Sequence, residues 1–267
     1  MKKTLLILLS MLCCMTAARA QKVLYLGNGY TYVNDTPSIM DTLARSQGHN
    51  FSISSNSKSG YTMNNHLSNK ESRALIDRGG WDVVILQDQS TQPVLVGMKE
   101  GMPVVESMVE MVERIRKSSP SARILMEITW GRKDGNNTLI DKFKDSKYSH
   151  IFASFDSMQE ALTRGITAEA MMCRTDIADV GKVWKYLRGK YPQIELYTPD
   201  GSHSSYAGSF LATCVIYTAI TGEKIDAKSV CSAFGNIDAK AVPGSTEGPK
   251  ISPKTAKTIC KAVWKNK

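Results

Sequence analysis

The stretch Val23–Thr31 reads VLYLGNGYT and decides the fold. An apolar run ends abruptly in Gly27, Asn28 and Gly29 and then passes into a segment with helical character. This pattern predicts a buried strand, a tight turn and the N-terminus of a helix. In an open α/β sheet, ligands bind at the carboxyl end of such a strand. We therefore expect the functional site to form around this turn.

The remaining strands follow from short apolar or β-branched runs bounded by turn residues. Each run is separated from the next by a segment with helical spacing. Strands that alternate with helices form parallel β-α-β units covered on both faces, which predicts a three-layer α/β/α sandwich. The predicted strands are Lys22–Leu26, Phe51–Ser54, Asp82–Leu86, Arg123–Ile128 and a weak fifth near Met172–Ile177.

Helices are expected where apolar residues recur at intervals of three and four. One begins near Thr36 and Pro37, and another leads to Thr221 before Gly222 ends it. The polar stretch Lys133–Ser149 is expected to be a loop, and the chain from Asp226 onward to be irregular until a last helix. The other predicted helices are His66–Asp77, Val104–Lys117, Phe152–Met171, Gly181–Arg188 and Pro253–Lys265.

The N-terminus has the pattern of a secretory signal peptide. Lys2 and Lys3 precede an apolar run, and an Ala-Arg-Ala sequence ends at Ala20. The run is too short to span a membrane, and no later segment is apolar enough to do so. We therefore expect cleavage after Ala20, export to a periplasm or to the outside, and a single domain over residues 21–267.

The net charge by itself excludes few classes of binding partner. Loss of Lys2, Lys3 and Arg19 with the leader lowers the formal net charge from +9 to +6. This charge favours acidic partners such as polyanionic glycans, but a solvated lysine surface is the simpler interpretation and the one we expect. No dense basic run with interleaved aromatic residues indicates nucleic-acid binding.

The cysteines and histidines indicate no metal centre. The four histidines lack metal-ligand spacing and there is no C-x-x-C sequence, so we expect neither a metal nor another cofactor. Cys214 lies in an apolar helical run and is expected to be a buried thiol. Cys231 and Cys260 flank a tail that contains Gly and Pro, and a bridge between them stays open because pairing does not follow from sequence.

The sequence Asp200-Gly201-Ser202-His203 is the strongest candidate for chemistry. An imidazole is a suitable general base, and a carboxylate on its second nitrogen fixes its tautomer. A short turn can bring the two side chains together. The alternative is an ordinary Asp-Gly turn followed by an exposed histidine.

Four blocks in order resemble the SGNH, or GDSL, hydrolases. The chain is most similar to exported bacterial members whose first block reads G-N-S-[YF]-T, and the segment Thr129–Gly135 also resembles that branch. The blocks follow the predicted strands from the first to the last extended piece. They are Leu26–Thr31, Ser59-Gly60, Leu86–Ser90 and the pair Asp200 and His203.

The resemblance implies a flavodoxin-like sheet and hydrolysis of esters, often of acyl groups on carbohydrate. Carried over to this chain, His203 would be the base and Asp200 the residue that orients it. The oxyanion donors would be the N–H groups of Gly29 and Gly60 and the side chain of Gln89. Gln89 replaces a shorter asparagine, and it could instead simply close its own loop.

Gly29 is the departure from the family pattern, because it stands where the family has its nucleophilic serine. Loss of that serine from a triad costs on the order of a millionfold in turnover. A water activated by His203 could take its place, or the chain could be an impaired hydrolase that binds carbohydrate. Thr31, Ser90 and Ser202 lie nearby in sequence or in the expected fold, but we expect structural roles for them.

Three further residues are expected to contact the small-molecule or carbohydrate ester. Asn28 lies in the first block, and Trp130 and Arg132 follow the fourth strand. A tryptophan face suits stacking on sugar, and an arginine fork suits a carboxylate. The alternative for this pair is a core tryptophan beside a surface arginine.

Overall fold

The computed structural model describes residues 19–145, 148–235 and 251–267. The predicted leader lies almost wholly outside these residues and stays a prediction. The sheet strands are β1 (Gln21–Gly27), β2 (Phe51–Ser57), β3 (Val83–Leu86), β4 (Arg123–Ile128) and β5 (Asp176–Asp179).

Eleven α-helices of the described residues accompany the sheet. They are α1 (Gly29–Tyr32), α2 (Thr36–Ser46), α3 (Met63–Ser68), α4 (Lys70–Arg78), α5 (Met102–Ser118), α6 (Asn137–Lys142), α7 (Phe155–Cys173), α8 (Val180–Lys190), α9 (Tyr206–Thr221), α10 (Ala227–Gly235) and α11 (Pro253–Lys265). Short 3-10 turns lie at Pro93–Leu95, Lys99–Gly101 and Ser149–Phe152. None of the described helices has the length and apolar character that a bilayer crossing requires.

The five strands form one parallel sheet in the order β2-β1-β3-β4-β5. This is the flavodoxin-like order, and it confirms the expected architecture. From β1 the chain runs outward to β2 and then crosses back to β3. The crevice outside the carboxyl ends of β1 and β3 is therefore the switch point at which such sheets bind ligands.

Alternation along β1 supplies both halves of the core. Val23 and Tyr25 face a cluster built with α2, α8, α9, α10 and α11. Leu24 and Leu26 face the opposite cluster, built with α3, α4, α5 and α7. Successive side chains of a strand point to opposite faces. A run that is apolar at every position therefore requires a helical layer on each side.

Several element boundaries differ from the expectation, each for a local reason. The predicted helix His66–Asp77 is two helices, because Asn69 is extended and its side chain accepts a hydrogen bond from Ser72 N at 2.9 Å. The fifth strand begins only at Asp176, because α7 continues to Cys173. The expected loop contains α6, and the expected irregular tail contains α10.

The four cysteines of the described residues are free thiols. The bridge left open between Cys231 and Cys260 is therefore not formed. The Cys231 thiol instead donates to Pro253 O at 3.6 Å. Burial, with a smaller contribution from the neighbouring Cys260 thiol, raises the pKa of Cys214 well above its usual range. Cys214 is fully buried, as expected.

Candidate active site

The turn after β1 is fixed by Asn28. Its side-chain oxygen caps α1 by accepting from Tyr30 N at 3.2 Å, and its Nδ2 donates to Tyr61 O at 3.0 Å. Gly27 is required for a different reason, since a Cβ there would lie 2.2 Å from Thr31 Oγ1. The predicted strand-turn-helix is therefore present, and it is tied to the loop that follows β2.

Gln87 holds this turn from the neighbouring strand, and sequence reasoning missed it. Its Oε1 accepts from Asn28 N and from Thr31 Oγ1, each at 3.0 Å. Its Nε2 donates to the Asp88 carbonyl. A polar residue that directly follows the all-apolar strand β3 was the available signal. Gln87 thus links the ends of the two strands that flank the switch point.

Asp200 and His203 form the expected dyad. Asp200 Oδ2 and His203 Nδ1 are 2.6 Å apart. Asp200 Oδ1 accepts from the backbone N–H groups of Ser202 and His203 and from the Thr198 hydroxyl at 2.7–2.9 Å. Burial alone would raise the pKa of Asp200, but these hydrogen bonds hold its pKa well below the usual range. The carboxylate is therefore ionised and can orient a protonated Nδ1.

The second imidazole nitrogen of His203 faces Gly29. A Cβ built on Gly29 would lie 2.5 Å from His203 Nε2 and 3.0 Å from its Cδ2. The imidazole also makes an edge contact with the Tyr30 ring, with centroids 5.6 Å apart. The dyad and the first turn, which are far apart in sequence, therefore meet at this point.

Three hydrogen-bond donors that follow the carboxyl ends of β1, β2 and β3 have no acceptor among the described residues. They are the N–H groups of Gly29 and Gly60 and the side-chain amide nitrogen of Gln89. The Gly60 backbone has φ +67°, which glycine adopts without strain. Gln89 Oε1 accepts from Thr91 N at 2.7 Å and from the Thr91 hydroxyl, which fixes the orientation of the amide. Free donors of this kind can hold a developing oxyanion.

Comparisons with known proteins bear on the fold. No protein-family model matches the chain, and no curated protein matches it. Among solved structures, it is similar to a DUF4886 family protein from Bacteroides uniformis, with a TM-score of 0.67 at 17% identity over 91% of this chain and 93% of that chain. A protein from Slackia heliotrinireducens described as a candidate SGNH hydrolase matches with a TM-score of 0.59 at 22% identity, over 75% and 99%.

The acetyl xylan esterase AlAXEase matches with a TM-score of 0.56 at 15% identity, over 74% of this chain and 99% of that chain. The chain has the SGNH hydrolase fold. The resemblance drawn from the four sequence blocks is thereby confirmed at the level of the fold.

We call the space between Gly29 and His203 the SGNH-type cleft. A stack of three aromatic rings adjoins it. Tyr30 stacks on Trp130 at 4.5 Å between centroids, and Trp130 stacks on Trp184 at 4.1 Å. Trp130 is 0% exposed, and its Nε1 donates to Ser202 O at 2.9 Å. The prediction that Trp130 stacks on a sugar is therefore wrong, because both of its faces are covered. Trp130 instead supports Tyr30 and the loop that carries His203.

The other two predicted substrate contacts differ from each other. Asn28 is 4% exposed and its amide is engaged with Tyr30 N and Tyr61 O, so it shapes the cleft rather than reaching into it. Arg132 is half-buried and its side chain makes no hydrogen bond or ion pair with any described residue. Arg132 therefore stays available to a ligand.

The alternative nucleophiles have structural partners. The Thr31 hydroxyl is buried and donates to Gln87. Ser202 Oγ is 3.0 Å from the Tyr30 hydroxyl, and Ser90 lies close enough to that hydroxyl to lower its pKa. None of the three side chains therefore occupies the space between Gly29 and His203.

A second histidine, His66, lies beneath the SGNH-type cleft. Its Nε2 is 2.9 Å from the Gly27 carbonyl, and its Nδ1 is 2.7 Å from Ser72 Oγ. Because a carbonyl only accepts, Nε2 carries the proton and the Ser72 hydroxyl donates to Nδ1. Burial lowers the pKa of His66 to about 4. His66 is therefore a neutral support of the first turn. No His, Cys, Asp or Glu cluster suited to a metal occurs among the residues described.

Proposed function

We propose that this protein hydrolyses acyl esters of carbohydrate in the SGNH-type cleft, with His203 as general base. The observation that carries the proposal is the position of His203. Its Nδ1 is hydrogen-bonded to Asp200 and its Nε2 faces Gly29, and three free hydrogen-bond donors follow the same ends of β1, β2 and β3. A carbohydrate ester is supported by the acetyl xylan esterases among the structural neighbours.

Water serves as the nucleophile in this account, because Gly29 has no side chain. His203 Nε2 takes one proton from the water while the water oxygen attacks the ester carbonyl. The oxyanion that forms accepts hydrogen bonds from Gly29 N–H, Gly60 N–H and the Gln89 amide. Collapse breaks the carbon–oxygen bond, and the leaving alcohol takes its proton from His203. Asp200 stabilises the imidazolium between the two transfers.

No acyl-enzyme forms by this route, because the nucleophile is a water molecule and not a side chain. The expected rate of hydrolysis is therefore low. The water must be positioned anew in each turnover, whereas a serine would be held in place by the backbone. Catalysis rests on the dyad and the donors alone. Triads stripped of members retain roughly 10³- to 10⁴-fold acceleration over water. We therefore expect slow hydrolysis that depends on His203 and leaves no covalent adduct.

A binding protein without turnover is the second candidate, and Gly29 is the observation that favours it. A Cβ at this position would lie only 2.5 Å from His203 Nε2, so the imidazole occupies part of the space of a nucleophilic side chain. The same donors that hold an oxyanion can hold a carbonyl oxygen. In this case the cleft would retain carbohydrate esters without cleaving them.

Release of acetate from an acetylated xylo-oligosaccharide tests the first candidate. The chain is compared with His203→Ala and with the control His150→Ala, which changes an exposed histidine. Hydrolysis that disappears only in His203→Ala supports the enzyme. Equal rates in all three proteins overturn it, and binding by calorimetry without acetate release identifies the binding protein.

We also propose export, with residues 21–267 as one domain. Cleavage after Ala20 would leave β1 intact, because that strand begins at Gln21. N-terminal sequencing of protein recovered from outside the cytoplasm tests this. A mature chain that begins at Gln21 supports the proposal, and one that retains residues 1–20 contradicts it.

A further inference from the structure

Arg132 has an unusual environment for a cation. Its Nε is inaccessible to solvent and has no hydrogen-bond acceptor within the described chain. No carboxylate of the described residues forms an ion pair with its guanidinium either. Its backbone N–H contacts the Met158 sulfur at 3.5 Å, which fixes the start of the side chain. Partly buried cations are normally paired.

The neighbouring cations make the contrast clear. Lys133 Nζ is 2.7 Å from Glu195 Oε2. Arg188 donates to the Lys133 carbonyl and the Tyr197 hydroxyl, and it lies over the Phe155 ring at 4.2 Å. Each of these side chains has partners supplied by the protein, while Arg132 has none among the described residues.

Arg132 lies on the catalytic side of the molecule. It follows β4 at the carboxyl edge of the sheet, and the next residue, Lys133, donates its N–H to Gly201 O at 2.8 Å. The positive charge of Arg132 also acts on the Tyr30 hydroxyl, whose ring contacts His203. The unpaired guanidinium therefore lies at the same edge of the sheet as the dyad.

We propose that Arg132 binds an anionic group of the substrate, the carboxylate of a uronic acid residue next to the esterified sugar. This rests on the proposed function and names its substrate class. A guanidinium presents parallel N–H donors that match the two oxygens of a carboxylate. The substrate carboxylate then accepts from the terminal nitrogens of the guanidinium, since Nε is inaccessible to solvent, and the positive net charge of the chain also attracts such a polymer.

Equilibrium binding tests this separately from hydrolysis. The probes are an oligogalacturonide and a neutral acetylated xylo-oligosaccharide of equal length, titrated into the full chain by calorimetry. The variants are Arg132→Gln and the control Arg164→Gln, which removes the same charge from an exposed position of α7. Arg132→Lys keeps the charge without the fork, and thermal melts establish that each variant is folded.

The parent chain is expected to bind the oligogalacturonide more tightly than the neutral probe. Arg132→Gln is expected to weaken oligogalacturonide binding by roughly 10- to 100-fold, with Arg132→Lys intermediate and Arg164→Gln close to the parent. Neutral-probe binding should not change. Unaltered oligogalacturonide binding in folded Arg132→Gln overturns the inference.

Two further outcomes separate the inference from the proposed function. If the parent binds the neutral probe but shows no preference for the oligogalacturonide, the uronate assignment fails and the ester-binding cleft stands. If the parent binds neither probe, both the uronate assignment and the carbohydrate-ester function are overturned.

Discussion

His203 Nε2 lies 2.5 Å from the position that a Cβ of residue 29 would occupy, although Gly29 supplies no atom there. Nε2 of the imidazole therefore faces the position from which a nucleophilic side chain at residue 29 would extend. The Gly29 backbone is not in the left-handed region, so an L side chain introduces no backbone strain. The half-exposed His203 ring must move to accept one, because real Cβ atoms essentially never lie as close as 2.5 Å to another heavy atom.

Gln87 and Gln89 are two residues apart, and truncation of Gln87 should destabilise the fold more than truncation of Gln89. Gln87→Ala leaves the buried N–H of Asn28 without its acceptor, and we expect a loss of about 1–3 kcal/mol in unfolding free energy. Gln89→Ala should cost less than about 1 kcal/mol. Urea denaturation of the two variants measures the difference.

In the Gly29→Ser background, the same two glutamines can be tested for their effect on ester turnover as well as on stability. There, Gln89→Ala should lower ester turnover by about 10²- to 10³-fold, because it removes an oxyanion donor. Turnover that survives Gln89→Ala would exclude this side chain from the oxyanion hole. A Gln87→Ala variant as stable as the parent would show that the Gln87 bonds do not hold the turn.

Acid should weaken the support beneath the first turn. The pKa of His66 is lowered to about 4 by burial, so its neutral form is favoured in the folded state. Its contribution is fully present above the unfolded pKa of about 6.5 and is lost as the pH falls toward 4. The loss is on the order of 2–3 kcal/mol.

Urea midpoints between pH 7 and 4 measure this loss. His66→Gln should flatten the acid dependence, whereas the exposed control His150→Gln should not. An acid dependence that is the same in His66→Gln and in the parent would assign the effect to other groups.

Alkali should weaken the core through buried carboxyl groups. Burial raises the pKa of Glu169 to about 8, with a further increase from the charge of Asp88, and neither of its side-chain oxygens has a partner among the described residues. Burial also raises the pKa of Glu127 to about 8. A raised carboxyl pKa gives stability that is full below about 4.5 and is lost as the pH rises through 8.

Glu169→Gln tests the alkaline effect against Glu160→Gln, an exposed control on the same helix α7. The stability of the parent and of the control should fall between pH 6 and 9, and Glu169→Gln should reduce that slope. Equal slopes in all three proteins would contradict the assignment to Glu169.

The sheet could be predicted because each strand is marked by a short apolar run within its own sequence. Arg123–Ile128 is confirmed residue for residue, and the apolar runs located β1 and β3 to within one or two residues. Helix α6 was missed because none of its residues is buried, so it carries no apolar periodicity. The break between helices α3 and α4 at Asn69 was missed because the apolar spacing is helical on both sides of it. The side chain of Asn69 caps α4 and so starts a new helix there.

The candidate site was predictable where function requires a fixed spacing. Asp200 and His203 are three positions apart in the sequence and their side chains form a hydrogen bond. The strand order places Gly29 next to His203. Trp130 was not predictable, because whether it faces ligand or core depends on Trp184, 54 positions later in the sequence. The absence of an ion pair at Arg132 was not predictable either. It depends on which cations the carboxylates from distant parts of the sequence pair with, as Glu195 pairs with Lys133.

Ester turnover by Gly29→Ser tests the central claim most directly. Four proteins are assayed for hydrolysis of a small acetyl ester and for covalent labelling by a fluorophosphonate. They are the parent chain, Gly29→Ser and each of these with His203→Ala. We expect Gly29→Ser to hydrolyse the ester at least about 10³-fold faster than the parent chain, to become labelled, and to lose both properties with His203→Ala. A folded Gly29→Ser that neither turns over nor is labelled would contradict the assignment of this cleft as an SGNH-type hydrolase site.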